Sequence, residues 1–525
     1  MSRKQIAVEI PAGADDLSLS TDNVLPWHPN RRMSTTAGDQ SRGGFENLDP
    51  SDWHEFSAAS HAALDRMIEH LQSIRNRPVW KDVPAEVRSM FGAELPRGSR
   101  SLPDVLRQFE DSIKPYATGN LHPAFMGWVH GAGTPAGMVA EMLAAGLNMN
   151  CGGRNHAGIE VEKQIAHWMT QAFGFPEQAS GVFVTGTSMA NFLGLIVARN
   201  AALGEAAGSS GIGGAPQLCA YASQGVHGCI GRAMQLSGIG SDFLRLVPCD
   251  ENGAMRPAML ETMIAEDKSR GLRPFLVVGT AGSVDIGAID PLERIADIAS
   301  SHGIWFHVDG AFGALAVFSP ELQPLILGIQ RADSIGFDFH KWAHVPYDAG
   351  FLLVRDGELH RRSFAAANCY LTRAETGLAA GEIWPCDLGP DLSRGFRALK
   401  VWFTLQVFGT DALGRCMLQN CRAAKHLEHR LGSSKKFSVA APVKLNIVCF
   451  SVNSRDPDRD NRRIVEALQL SGRAAPSITL LNGKAAIRCA IVNHRTTLVD
   501  IDRFISDLDC VAGQLGVEPA EYAAP

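Results

Sequence analysis

Apolar and polar positions change their period along the chain. Leu64, Met67, Ile68 and Leu71 recur at i, i+3, i+4 and i+7, the stripe of an amphipathic helix. Asp49-Pro50, ahead of that stripe, reads as an N-cap followed by a first-turn proline. Residues 80–100 are punctuated by proline and glycine and are expected to wrap over another part of the protein. From about 116 to 365, short apolar runs at 182–184, 218–221, 275–279, 305–308, 334–337 and 351–354 alternate with helical patterns. Strands apolar on both faces and separated by helices predict an α/β fold with a mostly parallel sheet covered on both sides. Residues 204–217, rich in Gly, Ala and Ser, predict a surface loop. A helix is expected over 392–409, and runs at 445–452 and 486–492 predict strands of a smaller α+β domain. Residues 1–45 show no periodicity and read as a poorly ordered arm. The expected division is an arm at 1–45, a helical segment at 46–115, a large domain at 116–375 and a small domain at 376–525.

Composition narrows this picture little. At 525 residues the chain is too long for one small core, which agrees with several domains. A net charge of −6 and a pI near 6.3 give no general attraction to nucleic acid or to anionic membranes. The eleven cysteines are scattered from Cys151 to Cys510 without a Cys-x-x-Cys pair or zinc-ligand spacing, so reduced thiols and no metal site are expected. No apolar region follows Arg3 and Lys4, and the apolar stretch at 136–147 is broken by Glu141 and too short for a membrane span. The expectation is a soluble cytoplasmic protein.

Four local features carry chemistry. Phe339-His340-Lys341-Trp342 follows an apolar strand, and a lysine emerging from a buried sheet is costly unless paired or converted to an imine. Taken alone, the tetrapeptide fits a surface lysine at a strand end better. Asp309 ends the run Ile304-Trp305-Phe306-His307-Val308-Asp309, where α/β sheets bind ligands, and the small Ala311 follows. A metal-binding or helix-capping aspartate fits equally well. Thr185-Gly186-Thr187-Ser188-Met189-Ala190-Asn191 follows a strand and opens a helix, the setting of a phosphate turn, although many β–α turns look alike. His227 follows the strand at 218–221 and has the shape to stack on an aromatic cofactor; a lone histidine is more often structural.

The order of these features is more informative than any one of them. Phosphate turn, histidine, acidic strand end and lysine strand end resemble the group II pyridoxal-phosphate-dependent amino acid decarboxylases, the family of the aromatic-L-amino-acid, glutamate and histidine decarboxylases. Further runs are similar to the family's: His122-Pro123-Ala124-Phe125, Gly131-Ala132-Gly133-Thr134-Pro135, Glu160-Val161-Glu162, Gly279-Thr280-Ala281-Gly282-Ser283, Ile289-Asp290-Pro291-Leu292 and the stretch from Arg394 to Phe403. The resemblance implies an aspartate-aminotransferase-like fold (fold type I) with a seven-stranded sheet, and pyridoxal 5′-phosphate (PLP) as cofactor. It implies Lys341 as the Schiff-base lysine and Asp309 as partner of the pyridine nitrogen. His227 and Ala311 would lie on the two faces of the ring. Thr187, Ser188 and Asp338 would hold the phosphate, with Thr280 and His340 near the cofactor. A homodimer with the active site at the subunit interface is also implied.

Tyr370 stands 29 residues after Lys341, where the family's mobile loop carries a tyrosine that protonates the α-carbon. The resemblance thus implies plain decarboxylation rather than the oxidative aldehyde synthesis of relatives with phenylalanine there. Residues 373–381, with few bulky side chains, suit a moving lid. For the substrate, Trp128 suits an aromatic side chain. His130, Arg154 and His156 depart from the aromatic pattern of the family's approach segment and leave an acidic or polar substrate open. Trp128, His130 and His156 are the candidate substrate residues.

Overall fold

The structure, a computed structural model, describes residues 47–204, 206–365 and 372–517. The chain forms two units, Met1–Phe56 and Ser57–Pro525. In the first, the Asp52 carboxylate accepts the backbone N–H groups of His54 and Glu55 and so starts the helix Trp53–Gln72. The expected cap at Asp49 is therefore corrected to Asp52, because it is the Asp52 carboxylate that meets the first free amides. The arm at 1–45 and Tyr370 lie outside the described residues.

The second unit is built on a seven-stranded sheet. Its strands are β1 (Ser180–Val184), β2 (Leu218–Ser223), β3 (Leu244–Val247), β4 (Arg273–Thr280), β5 (Trp305–Asp309), β6 (Ser334–Asp338) and β7 (Gly350–Val354). Their spatial order is β1-β7-β6-β5-β4-β2-β3. All neighbours run parallel except β7, which is antiparallel to both β1 and β6. The residues of β2, β6 and β7 are buried throughout, which is why these strands read as unbroken apolar runs. Phenylalanines 183, 337, 339 and 351 interlock on one face at centroid distances of 4.9 to 5.9 Å. The helix Thr187–Leu203 crosses the sheet against β4, β5, β6 and β7.

A second, antiparallel sheet contains β8 (Phe437–Val439), β9 (Ile447–Val452), β10 (Ser477–Leu481) and β11 (Lys484–Ala490), in the order β10-β11-β9-β8. Phe450, Ile464, Leu468, Ile487, Phe504 and Leu508 form its core beneath the helices Pro457–Leu470 and Leu498–Gln514. The helix expected over 392–409 begins at Arg397 and runs to Gly432, kinked at Gly409, whose φ is +70°. Within 204–217 the structure adds a one-turn helix, Ala206–Ser210. No described helix is long and apolar enough to cross a membrane, and the ten described cysteines are free thiols.

Candidate active site

Strand register brings distant residues together. Thr280 pairs with Asp309 across β4 and β5, Asp309 with Gly336 across β5 and β6, and Asp338 with Gly350 across β6 and β7. Thr280, Asp309 and Asp338 each end their strand, so they line one edge of the sheet with about 4.8 Å between adjacent strands. The Lys341 loop leaves from that edge. Lys341 Nζ stands 2.9 Å from Asp338 Oδ2, and the amide N–H of Thr187 donates to Asp338 Oδ1 at 2.7 Å. One buried carboxylate thereby ties the lysine to the first turn of the Thr187–Leu203 helix. His340 Nδ1 accepts the Ala349 N–H at 3.0 Å, and its Nε2 lies 3.6 Å from Asp338. Burial holds the His340 imidazole below its usual pKa range.

Asp309 is 4% exposed and has no ion-pair partner within 4.0 Å among the described residues. Burial pushes its carboxyl above the usual range. Lys341, His227, the Ala311 amide and the Asn191 side chain pull the other way. The Ala311 N–H donates to Asp309 Oδ1 at 3.2 Å. A buried carboxylate is stabilised by a cationic, hydrogen-bonding partner. Thr187 Oγ1 and Thr280 Oγ1 are both buried without a hydrogen-bond partner, which is costly unless a further acceptor or donor reaches them. Ser188 and His227 are exposed at the same edge, and His227 Nδ1 accepts the Cys229 N–H at 3.2 Å. These residues fit PLP. Its phosphate suits the start of the Thr187 helix, its pyridinium suits Asp309, and its aldehyde suits the Lys341 amine.

Three participants were not singled out from the sequence. Asn191 lies one helical turn after Thr187; its Oδ1 meets His307 Nε2 at 2.8 Å, and its Nδ2 donates to Cys229 Sγ at 3.3 Å. Only the i, i+4 spacing from Thr187 hinted at this. Burial and the neighbouring Asp309 push the Cys229 thiol up to about 11. The Tyr347 ring packs against His340 with centroids 4.3 Å apart.

The approach segment reaches the same place. A Cβ on Gly131 would stand 2.0 Å from the His340 carbonyl oxygen, so only glycine lets this segment lie against the lysine loop. His130 stacks on Phe125 and Trp128 at 5.7 Å and meets Tyr347 edge-on at 6.1 Å. Burial and the Lys341 ammonium hold His130 below its usual range. Trp128 is 55% exposed beside it. His156 is engaged differently: it caps the helix Ala157–Ala172 by accepting the Gly158 N–H, and its Nε2 lies 3.2 Å from the Asn150 carbonyl. No contact joins His156 to the Lys341 cluster among the described residues. Arg154 lies over the Trp384 ring at 4.8 Å, with Arg373 at 4.3 Å from the same ring.

A lysine and a buried, unpaired aspartate at adjacent strand ends, beside the first turn of the Thr187–Leu203 helix, define a PLP enzyme of the aspartate aminotransferase fold. The family model described as the pyridoxal-dependent decarboxylase conserved domain matches residues 84–453. Aromatic-L-amino-acid decarboxylase of Bacillus atrophaeus is 31% identical over 481 residues, 90% of this chain and 98% of its own. Phenylacetaldehyde synthase of Arabidopsis thaliana is 29% identical over 468 residues, 86% of this chain and 94% of its own. The crystal structure of Oryza sativa TDC with PLP and tryptamine matches with a TM-score of 0.82 at 25% identity, over 89% of this chain and 100% of that one. The chain belongs to the pyridoxal-dependent decarboxylase family. It is a carbon–carbon lyase that uses PLP to remove the carboxyl group of an amino acid.

Proposed function

We propose that the enzyme decarboxylates an aromatic L-amino acid to the corresponding amine. The observation that carries the substrate class is the aromatic approach, in which Phe125, Trp128, His130 and Tyr347 lead inward to His340 and Lys341. Relatives that include an aromatic-L-amino-acid decarboxylase and a tryptophan decarboxylase support it. PLP, when bound, supplies a carbonyl that condenses with amines and a protonated ring that accepts the electron pair left by the carboxylate.

The chain's own residues do the rest. Lys341 holds the cofactor covalently, and Asp338 keeps its amine oriented. Asp309 would keep the proton on the pyridine nitrogen, and Ala311 and His227 would hold the ring from its two faces. Thr187, Ser188 and Thr280 hold the cofactor's polar groups through hydroxyl and amide donors. Tyr370 delivers a proton to the carbon that lost carbon dioxide. Trp128 and His130 border the substrate side chain, whereas His156 serves the cap of the Ala157–Ala172 helix. The large domain at 116–375 carries this machinery, and the small domain at 376–525 follows it. The chain works as a homodimer in the cytoplasm. Exposed apolar side chains on its early helices, among them Met90, Val105, Met142 and Leu147, support such pairing.

The test is incubation of the holoenzyme with phenylalanine, tyrosine, tryptophan, histidine and glutamate, measuring carbon dioxide and amine. Release from glutamate alone would overturn the aromatic assignment. Lys341→Ala is expected to lose activity and to hold no cofactor that borohydride fixes to the protein. A second reading, aldehyde synthesis, has support in the phenylacetaldehyde synthase relative. Tyr370→Phe is expected to shift the product from amine towards aldehyde and peroxide, whereas an enzyme that already makes mostly aldehyde would favour that reading.

A further inference from the structure

A cleft of about 250 Å³ lies between the chain near residue 75 and the Leu498–Gln514 helix. None of its lining residues belongs to the Lys341 cluster. Four arginines line it, Arg75, Arg77, Arg473 and Arg503, together with Asp500, Asp507 and His122. The two carboxylates are already taken. Arg75 holds Asp500 through bonds of 2.7 and 2.9 Å, and Arg473 reaches Asp507 at 3.4 Å. Asp500 also accepts the N–H and hydroxyl of Thr497, the cap of its own helix. Among the described residues, the Arg77 side chain donates only its Nε, to Ser73 Oγ at 3.0 Å. Arg503 has no hydrogen-bond or ion-pair partner among the described residues.

Among the described residues, two guanidinium groups that line this cleft, the half-buried Arg77 and the exposed Arg503, thus have no carboxylate partner, although Asp500 and Asp507 line it too. Burial holds the His122 imidazole below its usual range; a hydrogen bond to the Arg75 backbone and the Asp500 carboxylate draw it up, and the Arg75 and Arg503 charges push it down. His70, in the adjoining cleft that Arg77 also lines, is lowered by burial and then by Arg77 and Lys114. Planar guanidinium forks match oxyanions in a bidentate manner, and the first turn of the Leu498–Gln514 helix adds a favourable dipole. The cleft falls below the size of a typical drug-like pocket, so the ligand is small.

We propose that this cleft binds a phosphate group, as inorganic phosphate or a small phosphomonoester, between Arg77 and Arg503. The bound dianion neutralises both guanidinium groups and joins the residue 75–77 segment to the C-terminal helix. The site is separate from the cofactor's own phosphate cradle.

The test uses the holoenzyme, whose active site is already filled, and titrates inorganic phosphate by calorimetry and thermal unfolding against sodium chloride of equal ionic strength. Saturable binding and a rise in Tm beyond that in chloride are expected. Arg503→Gln and Arg77→Gln should each weaken binding at least about tenfold, or about 1.4 kcal/mol. Glycerol 3-phosphate separates the sources: tighter binding than inorganic phosphate assigns a monoester, and equal binding assigns the free ion. Absence of saturation up to about 10 mM, where even millimolar affinity would show, overturns the proposal. So does binding that both variants leave unchanged, or a Tm rise that chloride reproduces.

Discussion

Asp338 shows how much one buried carboxylate organises. It accepts the Thr187 amide with one oxygen and faces the Lys341 ammonium with the other, at 2% exposure. Asparagine keeps an acceptor for the Thr187 N–H, whereas alanine strands it. Asp338→Ala should therefore be less stable than Asp338→Asn by about 1–3 kcal/mol, the cost of a buried unsatisfied donor. Denaturant unfolding of the two apo-proteins measures the difference, and equal stabilities would mean that the Thr187 amide finds another acceptor. The apolar runs ahead of Lys341 and Asp309 placed both at strand ends, but their roles were implied only by the family resemblance. Asn191 and Tyr347 were not legible in the sequence. Their places depend on a helix face and on a loop that folds back, and neither is written in local periodicity.

Among the elements, Arg394 is the rivet. Its guanidinium reaches the carbonyls of Cys151 and Phe183 at 2.8 Å and Glu162 Oε2 at 2.9 Å, with both charged side chains buried. It thereby joins β1, the Ala157–Ala172 helix and the segment that enters the Arg397–Gly432 helix. Burial pushes Glu162 up and Arg394 draws it back. Arg394→Met leaves that carboxyl uncompensated and should cost about 3–5 kcal/mol, and adding Glu162→Leu should recover much of the loss. A double-mutant cycle in urea decides this; additive losses would show that the pair is not coupled. The strands of the sheet centre were readable because burial on both faces leaves no polar position. β3, which pairs with β2 at the sheet edge and carries the partly exposed Leu244-Arg245-Leu246 before the buried Val247, was not. The long helix was cut short at Gly409 because glycine reads as a C-cap. Yet its apolar stripe continues through Leu413, Met417, Cys421, Ala424, Leu427 and Leu431, so packing carries the chain on past the kink.

Over the whole molecule, buried neutral histidines set the response to acid. His307 is fully buried among Asn191 and Ser334, with its pKa lowered by burial to about 3. His360 is lowered by burial to about 4 and meets Ser180 Oγ at 2.7 Å. His494, lowered by burial and by Arg495, also stands at about 4, with its ring 4.8 Å from that of His344. No sequence pattern marks these three, since each lies in an ordinary apolar or loop context and becomes buried only through long-range packing. The sign of their effect follows from linkage. Below about pH 6.5 the unfolded chain takes up a proton on each imidazole while the folded chain does not, so stability falls until the folded pKa is reached. Each site contributes a slope of about 1.4 kcal/mol per pH unit between roughly pH 6.5 and its folded pKa, or about 4 kcal/mol per unit for the three together. The urea midpoint of the apo-protein is therefore expected to be flat from about pH 7 to 8 and to fall steeply from about pH 6 to 5. His307 supplies a direct check, because a neutral asparagine there cannot take up a proton in either state. His307→Asn, although less stable at pH 7.5, should show a shallower acid slope by about one proton. An unchanged slope would assign the acid response to the carboxylates instead.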